Sequence, residues 1–188
     1  LMANWTGNNF AASIDTFTVA GQVTKGGLAW AGVNIAVTGS TTAAAVTDGS
    51  GSYSFILPYG GAYTVTPSTD GYYFTPVSVT TASLAADWTN NFAGTLNPYT
   101  VSGRVTLGGS GMAGVSVNVT GGASTSTLTD ANGDYSLTLD ALGSYTVTPS
   151  ITGYYFNPVA VSTVNLSGNW TGNNFAATLS TYTISGTV

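Results

Sequence analysis

The sequence contains no cysteine and no histidine, and its seven acidic residues are all aspartate. The first absence excludes disulfides and thiolate metal sites. The second, with the lack of glutamate, removes the groups most used for proton transfer and nucleophile activation. What remains is aspartate pairs, or a serine beside the single lysine Lys25, so a non-enzymatic protein without a cofactor is expected. Charge of either sign is scarce: Lys25 and Arg104 are the only basic residues, and charged side chains make up 5% of the chain against about 25% in ordinary soluble domains. Two cations cannot neutralise a run of phosphates, which excludes nucleic acid as a partner. No apolar run approaches the roughly 18 residues of a membrane span. Leu1-Met2-Ala3-Asn4-Trp5 has neither the basic nor the apolar region of a secretory signal, so any such signal would lie outside this sequence. Solubility must rest on hydroxyls and amides, a surface common in secreted and cell-surface proteins.

What the chain does have is an internal repeat. Tyr63-Thr64-Val65-Thr66-Pro67 recurs as Tyr145-Thr146-Val147-Thr148-Pro149, and Gly71-Tyr72-Tyr73-Phe74 recurs as Gly153-Tyr154-Tyr155-Phe156, 82 residues on. The same offset carries Gly21, Asp48, Gly51 and Tyr53 onto Gly103, Asp130, Gly133 and Tyr135, and an extra Gly172 shifts Phe92 onto Phe175. A period of this length is a whole domain. The expected organisation is therefore residues 1–14 as the last strand of a preceding repeat, 15–97 and 98–180 as complete repeats, and 181–188 as the first strand of a following one. Phe10, Tyr182 and Ile184 would then sit on terminal strands that either belong to a longer polypeptide, the favoured reading, or pair with a neighbouring subunit.

Apolar residues alternate with polar ones over short runs, which is the strand period, and helical spacing is nowhere sustained. Phe17, Val19 and Val23 mark a first strand, interrupted at Gly21 by a bulge or a close backbone approach. Val33, Ile35 and Val37 mark a second, Ala43 to Thr47 a weak third, and Tyr53, Phe55 and Leu57 a fourth. Tyr63, Val65 and Pro67, then Val77 and Val79, then Trp88 to Thr95 complete seven. The second repeat offers the same series, with Val159 and Val161 for Val77 and Val79. The fold class expected is all-β: tandem seven-stranded antiparallel sandwiches of immunoglobulin-like or transthyretin-like type.

The ordered motifs Gly21-x-Val-Thr24, Ala31-Gly32-Val33, Thr47-Asp-x-x-Gly-x-Tyr-Ser54, Gly61-x-Tyr-Thr-Val-Thr-Pro67 and Gly71-Tyr-x-Phe-x-Pro76 resemble carboxypeptidase regulatory-like repeats. The resemblance implies a transthyretin-like sandwich of the kind found in tandem in large bacterial and archaeal surface and secreted proteins, usually as a spacer or accessory module. The related Cna-B-like surface domains carry a Lys–Asn isopeptide bond, for which this chain lacks the parts: Lys25 lies in a turn and its counterpart is Leu107.

Three groups of residues remain as candidate sites. Asp130, Asn132 and Asp134 place oxygen ligands at alternate positions, as the start of a calcium loop does, but Tyr135 stands where such a loop needs glycine and no twelfth-position acid follows. A hairpin turn, with aspartate capping and glycine at positive φ, explains the same residues. Trp30, Tyr59, Tyr73 and Tyr155 could stack on sugar rings, or cover the end of a sandwich or an adjacent domain. Four sequons, at Asn4, Asn118, Asn165 and Asn169, are about as many as chance supplies in so Ser/Thr-rich a chain. The expected function is a structural repeat of an extracellular filament or cell-surface stalk, its partners other copies or adjacent repeats. The alternatives are an adhesin or polysaccharide-binding accessory module that meets glycans through the aromatics, and a phage or virion appendage.

Overall fold

The computed structural model describes residues 13–187, which form strands and turns without a helix. The chain divides between Thr95 and Leu96 into two compact units, each with its own hydrophobic cluster. Unit 1 contains β1 (Thr16–Lys25), β2 (Leu28–Ala29), β3 (Asn34–Gly39), β4 (Ala43–Val46), β5 (Ser52–Pro58), β6 (Tyr63–Ser68), β7 (Tyr72–Thr75), β8 (Val79–Thr81), β9 (Trp88–Thr89) and β10 (Phe92–Leu96). Unit 2 contains β11 (Pro98–Leu107), β12 (Ser110–Gly111), β13 (Ser116–Gly121), β14 (Thr125–Leu128), β15 (Asp134–Asp140), β16 (Tyr145–Ser150), β17 (Tyr154–Asn157), β18 (Val161–Thr163) and β19 (Phe175–Leu179).

In each unit one sheet is a four-strand ladder, β4-β3-β6-β8 or β14-β13-β16-β18, and the other is built on the long first strand. The first seven residues of β1, Thr16 to Gln22, run antiparallel to β5, while its last three, Val23 to Lys25, run parallel to β10. Unit 2 repeats this with β11 against β15 and β19. The alternation places Val33, Ile35 and Val37 inward, each at most 1% exposed, with Tyr63 and Val65 beside them on the paired strand β6 and Tyr53, Phe55 and Leu57 joining the same core from β5 of the other sheet. Burying one such side chain stabilises by about 1.5–3 kcal/mol.

Six of the expected strands are present in each unit; the last, expected over Trp88 to Thr95, is divided into β9 and β10, and in unit 2 Trp170 makes a single parallel bridge to Val101 ahead of β19. Three further differences from the expectation are found. The last strand lies parallel to the first, a pairing that alternation cannot distinguish from an antiparallel one. The aromatic triplets form strands of their own, β7 and β17, which add to the edge of the first-strand sheet. Val77 and Val159 do not point inward: they lie in the bends before β8 and β18 and are 74% and 75% exposed. The bends follow Pro76 and Pro158, which have no N–H to offer a ladder.

Candidate functional site

Several polar residues that recur between the two repeats are held by hydrogen bonds within their own unit. Asp48 Oδ1 accepts the amides of Ser50 and Ser52, both at 2.9 Å, and Asp130 Oδ1 accepts those of Asn132 at 2.8 Å and Asp134 at 2.9 Å. Glycine completes both turns at positive φ, 72° at Gly51 and 80° at Gly133. There a side chain would also press on the carbonyl of Val23 or Val105. The Ser50 hydroxyl, with the Ser52 and Ser50 amides, holds the Asp48 carboxyl below its ordinary range. The proposed calcium ligands thus already have partners: Asp130 caps the turn and Asp134 faces Arg104 Nε at 3.7 Å. Arg104 Nε also donates to Asn132 O at 2.9 Å, and Gln22, its counterpart, makes the same link to Ser50 O at 2.9 Å.

Sequence reasoning missed the threonine before each turn. Thr47, buried, donates to Trp30 O at 2.8 Å and accepts from Val33 N at 3.0 Å, and Thr129 bonds Met112 O and Val115 N in the same way. It also missed Asn90 and Asn173. Tyr53 Oη donates to the Asn90 carbonyl at 2.6 Å, and Tyr135 Oη to that of Asn173 at 2.7 Å. Burial pushes both phenols up to about 12. Tyr145 Oη donates to Asp140 O at 2.9 Å, and burial with the nearby Asp140 charge raises its pKa. The available signal was recurrence at the repeat offset, which marks Thr47, Asn90 and Tyr53 as strongly as any apolar position. The loop of unit 1 is one residue shorter, and there Asn90 Nδ2 has no partner among the described residues. In unit 2, Gly172 at φ 77° lets Asn173 Nδ2 reach Trp170 O at 2.8 Å.

The aromatic candidates separate. Trp30 is packed, its ring 5.9 Å from Phe74 and 4.5 Å from Tyr72, with Lys25 Nζ 5.0 Å from its centre. The indole is partly buried. Tyr59 is 56% exposed beside Phe17, their centroids 6.1 Å apart. Tyr73 and Tyr155, at equivalent places on β7 and β17, are 46% and 56% exposed. Tyr73 borders a shallow groove of about 280 Å³ shared with Thr66, Pro67, Ser68, Thr69, Tyr72, Phe74 and Val77. Trp30 is partly buried against the core of unit 1, Tyr59 and Tyr73 are exposed on the same unit, and Tyr155 is exposed on unit 2.

Tyr182 and Ile184 are almost fully exposed and lie outside any strand, whereas Val101, the counterpart of Ile184, is wholly buried. Phe10 lies outside the described residues. Among the described residues no group of three His, Cys, Asp or Glu side chains could hold a metal ion, and no helix is long and apolar enough to cross a membrane.

Residues 100–180 match the carboxypeptidase regulatory-like domain family. Over 125 residues, 62% of this chain, the sequence is 39% identical to the chitinase ChiA of Flavobacterium johnsoniae, and it spans 8% of that protein's length. Among solved structures, the TIE protein of Bacillus anthracis is similar over 86% of this chain and 33% of its own, with a TM-score of 0.64 and 14% identity, a likeness of fold. A streptococcal ancillary pilin is similar at a TM-score of 0.40 and 15% identity, over 85% of this chain and 62% of its own.

Proposed function

We propose that this chain, whose second repeat is a carboxypeptidase regulatory-like domain, is a structural segment of an extracellular filament or cell-surface stalk, with connection as its task and no reaction to perform. The observation that carries the reading is what the repeats share. Thr47, Tyr53, the Asn90 carbonyl and their counterparts join strands and loops of the sandwich, Asp48 and Asp130 cap its turns, and Gly21 and Gly103 make room for the Asn90 and Asn173 carbonyls. Selection for a reactive centre would leave recurring polar groups turned toward an open cavity. Linkage is also short: Asn97 alone separates β10 from β11, and its carbonyl already accepts Ala141 N at 2.8 Å. Immunogold labelling of source cells, with negative-stain microscopy of the purified protein, tests it: label along surface fibres supports the proposal, and isolated particles inside the cell contradict it.

A second reading, a polysaccharide-binding accessory module, draws on the identity with part of a chitinase and on the outward rings of Tyr73 and Tyr155. A glycan array run with the Tyr73→Ala, Tyr155→Ala double variant separates the two. Sugar binding that disappears in the variant favours the module, and absence of binding favours the structural role.

A further inference from the structure

The three sequons among the described residues occupy different environments. Asn118 lies within β13, between β14 and β16, and its side chain contacts Ser116 Oγ at 3.2 Å and Thr148 O at 3.5 Å. Asn169 Oδ1 accepts Thr100 N at 2.9 Å, the bond that Asp87 makes to Thr18 N in unit 1, so this side chain is a fixed bridge to the first strand. Asn165 is exposed in the loop between β18 and β19, at φ 55°, and its side chain makes no hydrogen bond among the described residues.

The two repeats differ around this loop in a correlated way. Unit 1 has Ala82, Ser83 and Gly60 where unit 2 has Val164, Asn165 and Leu142. Val164 is 80% and Leu142 41% exposed, and Leu142 is tied to the loop by donating its amide to Leu166 O at 2.8 Å. The repeat that carries the acceptor sequence is thus the one that exposes an apolar side chain next to it in the chain, Val164, and a second, Leu142, on the turn bonded to the same loop, in a protein with few charges to keep apolar surface soluble.

We infer that Asn165 is an N-glycosylation site whose glycan covers Val164 and Leu142. This inference rests on the extracellular reading above. The donor is a polyprenyl-diphosphate-linked oligosaccharide: Asn165 Nδ2 forms the bond to the sugar C1, the C1–O bond to the diphosphate breaks, the lipid diphosphate leaves, and the amide loses one proton. Ser167, the exposed hydroxyl of the sequon, completes the acceptor.

The test is glycopeptide mass spectrometry of the native protein, taken from surface-shaved and intracellular fractions separately. Surface-derived protein carrying glycan at Asn165 and none at Asn118 supports the inference. Surface-derived protein bare at Asn165 overturns it and leaves the extracellular reading standing, whereas protein confined to the intracellular fraction overturns both. Asparagine also tolerates positive φ for purely conformational reasons, and the variant Ser167→Ala distinguishes that role. It keeps Asn165 in place, and loss of the glycan with an unchanged unfolding midpoint is expected; glycan retained on Ser167→Ala would overturn the assignment.

Discussion

The main-chain carbonyl of Asn90 occupies the space that a side chain on Gly21 would need, and Tyr53 donates its hydroxyl to that same carbonyl. Gly103, Asn173 and Tyr135 repeat the arrangement. Neither glycine has an unusual φ, so proximity and not conformational freedom explains why both repeats keep one. Gly103→Ala should displace the carbonyl and weaken a buried hydrogen bond, costing about 2–3 kcal/mol. Urea unfolding of the variant checks this, and an unchanged midpoint would mean that the loop simply moves aside.

The same tyrosines make stability sensitive to alkali. Their folded-state pKa values are raised to about 12 from an ordinary 10, so the folded chain keeps protons that the unfolded chain releases. The stabilisation is fully present below pH 10 and is lost as pH rises toward 12. Urea midpoints measured across this interval should fall, and the Tyr53→Phe, Tyr135→Phe double variant should flatten the decline. A wild-type midpoint constant through pH 12 would contradict the assignment.

Trp30 and Gly94 are a matched pair: a methyl group on Gly94 would strike the indole. Unit 2 has Met112 and Ala177 at the equivalent positions. Gly94→Ala alone should destabilise unit 1 by about 1–3 kcal/mol, and less in a Trp30→Met background. A double-mutant cycle with a coupling energy of about 1 kcal/mol or more is expected; additive effects would show that the two positions are independent.

These pairs show what the sequence made legible and what it did not. The inward sets Val33, Ile35, Val37 and Tyr53, Phe55, Leu57 were readable because a strand with one buried face imposes a period of two. Gly21 was recognisable as a break in that period, and the close backbone approach expected there is the Asn90 carbonyl. The packing of Trp30 was not legible, because a tryptophan beside Gly32 in a turn-rich stretch gives no sign of the rings of Tyr72 and Phe74 on β7 that lie against it. The triplet Tyr72-Tyr73-Phe74 was readable as extended but not as a paired edge strand, since three consecutive aromatics show no alternation. The turn aspartates look alike as metal ligands or caps until their hydrogen bonds are known.

Leu142 adopts φ 63°, where unit 1 has Gly60 at 76°. A side chain in that region costs about 1–2 kcal/mol, partly offset by the greater freedom of glycine in the unfolded chain. Leu142→Gly should therefore stabilise unit 2 by about 0.5–1 kcal/mol. Differential scanning calorimetry reads the change directly, and a lowered transition temperature would mean that the exposed leucine makes contacts worth more than its strain.

Each repeat is a module closed around its own interior. Hydrogen exchange followed by mass spectrometry under increasing urea, on Ile35→Ala and on Val117→Ala at the equivalent position, tests this most directly. Truncating Ile35 should lower protection across β1 to β10 by about 2–4 kcal/mol and leave β11 to β19 unchanged, and Val117→Ala should do the reverse. Equal loss of protection in both units from either substitution would contradict it.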